Sequence, residues 1–181
     1  MARCEWATSE LDIAYHDNEW GKPLHDDHKH FEFIILDCMQ AGLSWSLILK
    51  RREDMREAFD GFDVEKIAKY DEQKIEELMQ NPKIIRNRMK LKALVTNAHA
   101  FLKIQQDFGS FDNYIWGFVD NKPIINNWND MHDIPVSTEL SDNISRELKK
   151  RGFKFVGTVI CYSYMQAIGM VNDHMIWCDA R

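Results

Sequence analysis

The chain has 181 residues and a mass of 21.4 kDa, with 45% hydrophobic and 12% aromatic residues, which fits one domain with a sizeable core. Its net charge of −6 and pI near 5.6 exclude a protein that coats nucleic acid through bulk charge. A local basic face stays possible, because phosphate contacts need only a few well-placed Lys and Arg.

Residues 1–25 read as irregular, with one helical turn around 11–15. Asp26 or Asp27 caps a helix over 27–41, where Phe31, Ile34, Ile35 and Cys38 recur at i, i+3, i+4 and i+7. Gly42 ends it. Ser44 caps a second helix, with Leu47, Ile48, Met55 and Phe59 as its apolar stripe and Lys50, Arg51 and Arg52 exposed. Two short helices over 63–68 and 71–79 each open with an acid at the positive end of the dipole. Asn81-Pro82 breaks the chain, and a longer helix over 84–105 carries Ile85, Met89, Leu91, Leu94, Val95, Ala98 and Leu102. The basic residues of 86–92 read as its wet face. Ser110 caps an aromatic helix over 111–118, and 119–139 is a long loop without firm elements. Ser141 caps a helix to Lys150, residues 151–157 make a tight turn, and Thr158 opens a last helix to about Ile168. No alternating run reads as a strand. The expected fold class is all-α, a single domain of about eight helices, with no internal repeat.

The opening Met1-Ala2-Arg3-Cys4-Glu5-Trp6 holds no apolar run, and no stretch is apolar for long enough to span a bilayer. A cytoplasmic protein with no membrane partner is expected. In a reducing compartment Cys4, Cys38, Cys161 and Cys178 read as thiols or metal ligands rather than disulfides.

Three constellations carry chemistry. Cys4 and His16 lie near one end and His174 and Cys178 near the other. If 174–178 is a helical turn, i and i+4 share a face, and two thiolates with two imidazoles suit tetrahedral zinc. Spacing alone equally allows ordinary thiols and surface histidines, since no CxxC pair is present. Trp6, Tyr15, Trp20 and Trp45 fall in or beside segments without a clean core period. With the carboxyl of Asp37 they suit a flat, electron-poor ring, or else form a small aromatic core under a loop. The third is the helix–turn–helix over 141–168. Gly152 and Gly157 flank Phe153 and Phe155, and the free N–H groups at Gly157 and Thr158, near Lys149, Lys150, Arg151 and Lys154, suit a phosphate. An ordinary helical hairpin with a solvated face fits the same residues.

Taken together, Arg3-Cys4-x-Trp6, Tyr15-His16-Asp17-x-Glu19-Trp20-Gly21, Gln40-Ala41-Gly42-Leu43-Ser44-Trp45, the run from Lys149 to Thr158, and Asn172-Asp173-His174 resemble the bacterial 3-methyladenine DNA glycosylase I family over almost the whole chain. The resemblance implies an all-α helix–hairpin–helix glycosylase fold. It implies one structural Zn2+ held by Cys4, His16, His174 and Cys178, clipping the two terminal segments into a lobe beside the helical core. It implies that Trp45 stacks on the damaged base, that Tyr15 and Asp37 hydrogen-bond its edge as the catalytic pair, and that Trp6 and Trp20 stand nearby. Gly152, Lys154, Gly157 and Thr158 would grip the DNA backbone. The implied activity is a monofunctional glycosylase acting as a monomer on double-stranded DNA with alkylated bases, releasing free 3-methyladenine. Asp173 reads as structural. The chain departs from the family pattern, which has Glu at position 37, usually Tyr at position 12 where this chain has Asp12, and a small residue in place of Cys38. A shorter Asp37 leaves open a weakened enzyme that binds damaged DNA without cutting it.

Overall fold

The computed structural model describes residues 1–181. The helices are α1 (Glu10–Asn18), α2 (Asp27–Gln40), α3 (Trp45–Ala58), α4 (Val64–Ile67), α5 (Glu72–Gln80), α6 (Arg88–Phe108), α7 (Phe111–Trp116), α8 (Glu139–Lys150) and α9 (Thr158–Ala167). None is long and apolar enough to cross a membrane.

Side-chain caps set most helix starts. Ser9, Asp26, Ser44, Asp71, Asn87, Ser110 and Thr138 each accept a hydrogen bond from a backbone N–H in the first turn. Two starts differ from expectation for this reason. Asn87, not Ile84, opens α6. Thr138 caps α8, and Ser141 is its partner three residues on, closing a capping box. The first helix is longer than one turn because Ser9 and Asp12 form the same kind of box.

At the centre lies α2, buried on every face from His30 to Met39. It packs against α3, α6, α7 and α9. Phe31 meets Phe101 edge-on, and Phe101 stacks on Phe111 at 4.2 Å. Its buried polar groups are tied to neighbours. The His30 ring hydrogen-bonds Tyr164 Oη (2.8 Å) and Asp112 (2.9 Å). Glu32 accepts from Arg52 (2.8 Å), Lys29 (3.1 Å) and Arg56. Arg52 is therefore not exposed as its place in a basic run suggests. Its fork also grips Glu19 of the α1 C-terminus at 2.7 and 2.8 Å.

Nor are the basic residues of 86–92 uniformly solvated. Lys90 is buried, and its ammonium donates to the carbonyls of Met39 (2.7 Å) and Ala41 (2.6 Å), closing the C-terminus of α2. Met89, by contrast, is 72% exposed and off the core face.

The expectation of no strand fails at one place. Ile124–Ile125 (β1) pairs in parallel with Val171–Asn172 (β2), and Trp128 bridges Met175. Two-residue strands are too short to show a period of two in the sequence. They fasten the 119–138 loop to the C-terminal segment. That segment is in turn fastened to residues 21–24: Gly21 N–H donates to Gln166 O (2.9 Å) and Leu24 N–H to Ile168 O (3.0 Å). Gly169, at φ +66°, lets the two strings touch, since a Cβ there would overlap the Lys22–Pro23 backbone.

Candidate functional site

The N-terminal segment, the start of α3, the long loop and α9 enclose a cleft of about 440 Å³, within the range of small-molecule sites. Trp6, Tyr15 and Trp20 line one side. Met131, Ile134, Pro135 and Val136 of the long loop face them, and Gln40, Tyr162, Ser163 and Gln166 supply polar edges. Trp45, the first residue of α3, also lines it. Ser44 fixes that start by capping Leu47, and Gly42 makes the preceding turn at φ +77°. The Tyr15 and Trp45 rings lie 5.2 Å apart at 50°, and Trp6 meets Trp20 edge-on at 5.1 Å. The four aromatic residues singled out from sequence thus share one concave site.

Asp37 does not line the cleft. It is fully buried, and both carboxyl oxygens lack a hydrogen-bond partner. Burial pushes its pKa up to about 8, with Ser163 as the one polar neighbour drawing it the other way. Since Ser163 is itself a cleft residue, Asp37 sits one side chain behind the surface. The indole N–H of Trp45 is also buried without a partner. Native interiors leave few such groups, and three of the six such atoms in this chain belong to Asp37 and Trp45.

Sequence reasoning missed the loop wall and the α9 edge. Tyr162 and Gln166, four residues apart, share a helix face. Both donate to Asp173, at 2.7 and 2.8 Å, while Asn126 and Trp128 donate to its other oxygen at 2.7 and 2.6 Å. Asp173 is thus a fully satisfied buried hub joining α9 to the loop, consistent with a structural role. A polar pair at i, i+4 in the apolar run of α9 was the available signal.

Behind Trp20 the two chain ends meet. Metal-ligating atoms of Cys4, His16 and Cys178 lie within 4.8 Å of one another, all buried. His16 Nε2 is 3.5 Å from Cys178 Sγ. His174 stands beside them, its ring 4.8 Å from that of His16. Its Nδ1 faces Asn172 Oδ1 at 2.8 Å, and its Nε2 is buried and unpartnered. His16 Nδ1 likewise faces Asp17 at 2.8 Å, a carboxyl that Arg3 and His16 hold down near a pKa of about 2. Residues 174–178 are a turn, not the helical turn expected, with Cys178 N–H donating to Met175 O. Gly21 admits the His174 ring, because a Cβ there would lie 2.7 Å from Cε1. Burial pushes the Cys4 thiol up to about 12 and the His174 imidazole down to about 4. Both shifts favour the uncharged groups and ask for a cation if thiolates are to form.

The α8–turn–α9 hairpin lies apart from that cluster. Gly157, the residue before α9, offers no side-chain cap, so the first N–H groups of α9 are free. Lys154 is pinned by Asn97, which accepts from its N–H at 2.8 Å and donates to its carbonyl at 3.1 Å. Gly152 turns the chain at φ +97°. Arg146, Lys149, Lys150 and Thr158 line a shallow groove here. Arg151 turns away, its guanidinium lying over Phe108 at 4.7 Å and Tyr114 at 5.0 Å.

A mostly helical protein with an aromatic slot, a basic hairpin and a thiol–imidazole cluster at its joined ends has the makings of a DNA-base-handling protein. Comparison with known proteins narrows this. A family model described as methyladenine glycosylase matches residues 6–181. DNA-3-methyladenine glycosylase 1 of Escherichia coli K12 is 49% identical over 98% of this chain and 96% of its own. A crystal structure of a 3-methyladenine DNA glycosylase I superposes with TM-score 0.96 at 50% identity, covering 98% of each chain. A second glycosylase I, solved as a variant in complex with 3-methyladenine, has TM-score 0.96 at 36% identity over 99% of this chain and 97% of that one. The chain belongs to the methyladenine glycosylase family.

Proposed function

We infer that this chain hydrolyses the N-glycosidic bond of 3-methyladenine in DNA, opening base-excision repair. The observation that carries the reading is the cleft walled by Trp6, Tyr15, Trp20 and Trp45, found on a chain whose full-length relatives bear that activity in their names.

N3-methylation makes the purine cationic and its glycosidic bond weak, so the enzyme needs less acid–base help than one acting on a neutral base. The nucleotide must leave the stack, at a cost of a few kcal/mol that is smallest for damaged bases. In this reading Trp45 then stacks on the extruded ring, and Tyr15 with Asp37 reads its edge, Asp37 acting through the Ser163 side of the cleft. Trp6 and Trp20 complete the wall. Water adds to C1′ of an oxocarbenium-like sugar, with no protein group assigned as general base. The free N–H groups at Gly157 and Thr158, with Gly152 and Lys154 shaping the turn, would hold backbone phosphates of the duplex.

We also propose that one Zn2+ joins the chain ends through Cys4, His16, Cys178 and His174. The unpartnered Nε2 of His174 beside three converging donors supports the fit, and Asp17 and Asn172 orient the two rings from behind. Such an ion stabilises thiolates and closes a loop of nearly the whole chain; it takes no part in the hydrolysis.

The test is release of 3-methyladenine from methylated DNA. Trp45→Ala should lower it by about tenfold to a hundredfold, the worth of one stacked base. Unchanged release would remove Trp45 from the site. Metal analysis of purified protein should give about one zinc per chain, and a folded, active protein free of metal would end the clip.

A further inference from the structure

One carboxylate in the cleft belongs to the capping box of α1. Asp12 is the sole Asp, Glu, Lys, Arg or His side chain among the residues lining it. It is 2% exposed. Its Oδ2 accepts from the hydroxyl of Ser9 at 2.7 Å and from the Ser9 N–H at 3.3 Å, and its Oδ1 accepts from Ser46 Oγ at 2.9 Å. Ser46, next to Trp45, also lines the cleft. All three donors are neutral, so they fix the carboxylate without cancelling its charge.

We propose that Asp12 is a specificity-determining residue: it supplies the fixed negative charge that makes the slot prefer a cationic alkylated purine to a neutral one. This rests on the glycosylase reading of the cleft. Helix capping explains why a hydrogen-bond acceptor sits at position 12, but asparagine would do that as well. Capping does not explain a buried charge facing an otherwise uncharged, largely apolar cleft, where burial of a carboxylate is costly. A cation in the slot supplies the compensation. Asp37 is the other acid nearby, but it stands behind the surface and burial favours its neutral form.

The chemistry sets which kinetic constant the charge affects. When the C1′–N bond breaks, its electron pair stays on the ring nitrogen and the purine leaves neutral. The positive charge passes to the sugar, which water captures with loss of a proton. A carboxylate beside the base therefore favours the bound substrate over the departing base. Asp12 lowers KM and leaves kcat unhelped. It also gives the neutral product less hold than the cationic substrate.

The experiment compares wild type with Asp12→Asn and Asp12→Glu on duplexes carrying 3-methyladenine or hypoxanthine, a neutral purine. Asp12→Asn should raise KM for the 3-methyladenine duplex by about tenfold, the scale of one nearby charge pair in a partly wet site. Its kcat should hold or rise, and its preference over the hypoxanthine duplex should narrow by a similar factor. Inhibition by free 3-methyladenine at pH 8, where that base is neutral, should stay within twofold. Asp12→Glu should keep the preference. If Asp12→Asn proves poorly folded, Asp12→Ser, which can still cap, is measured the same way. A lowered melting temperature with KM and preference intact would leave Asp12 as a cap alone and overturn the proposal, as would a fall in kcat at constant KM. A wild-type protein that releases no alkylated purine fails the earlier reading instead, and this inference falls with it.

Discussion

Glu32 and Asp37 lie five positions apart on the same helix, and both are fully buried. Around Glu32 the protein gathers Arg52, Arg56 and Lys29. Burial pushes its carboxyl upward, but these cations more than offset that and leave it below the usual range. Around Asp37 it sets no cation and only the Ser163 side chain, and burial leaves that carboxyl near a pKa of about 8. One acid is built into the frame, and its partners reach from Glu32 through Arg52 to Glu19, next to Trp20 of the cleft. The other is left unsatisfied one side chain behind the cleft. A helix that spends a buried charge on rigidity at one point and leaves another without partners beside a cavity is separating support from function.

The widest test of that contrast is to remove the supported acid. Glu32→Ala opens a void and leaves Arg52 only Glu19 and Arg56 only the exposed Glu53 as partners, and should cost about 3–5 kcal/mol of stability, read by urea denaturation. A loss below about 1 kcal/mol would mean that the cluster behaves like a surface ion pair. The next test touches the support of the cleft from below. Lys90→Met removes the ammonium that holds the carbonyls of Met39 and Ala41 while keeping most of the stem. It should cost about 1.5–3 kcal/mol, the worth of hydrogen bonds to a charged group. It should also loosen the turn that aims Trp45, so release of 3-methyladenine should fall more than stability alone accounts for. Equal falls in Lys90→Met and in a core variant of matched stability, such as Ile104→Ala on the buried face of α6, would show that the lysine does nothing particular for Trp45.

Much of this frame can be read in the sequence because caps and apolar spacing are local signals. Ser44, Asp71 and Ser110 marked helix starts that the structure keeps. The aromatic wall was legible because Trp6, Tyr15, Trp20 and Trp45 fit no helical stripe. The partners of buried charges were not legible. Arg52 sits in Lys50-Arg51-Arg52 and Lys90 in a basic run, and nothing local distinguishes the one cation that turns inward from the neighbours that stay wet. The 131–136 wall was missed because its form depends on pairing between β1 and β2, 47 positions apart at the Ile124–Val171 and Ile125–Asn172 matches. The bare state of Asp37 was also beyond reach, since it reflects what every surrounding helix fails to provide.

The bare acid makes the finest test, because its signature is a slope. Asp37 binds its proton more tightly in the folded protein, near a pKa of about 8, than in the unfolded chain, near the ordinary 3.8. Between those values the native state holds more protons than the unfolded one, so raising the pH destabilises the fold through this group. The effect is absent below about pH 4 and complete above about pH 8, and it cannot exceed about 1.4 kcal/mol per pH unit for one proton. Asp37→Asn deletes it. Unfolding free energies of wild type and variant, measured from pH 5 to pH 9, should diverge in favour of the variant as pH rises and run parallel near pH 9. Glu32→Gln should show the opposite trend in a series carried below about pH 4.5, since a carboxyl held low by cations loses its contribution as pH falls through that range. Parallel curves for Asp37→Asn across the whole range would mean that this acid finds partners after all. The difference between the two acids of α2 would then lie in geometry alone.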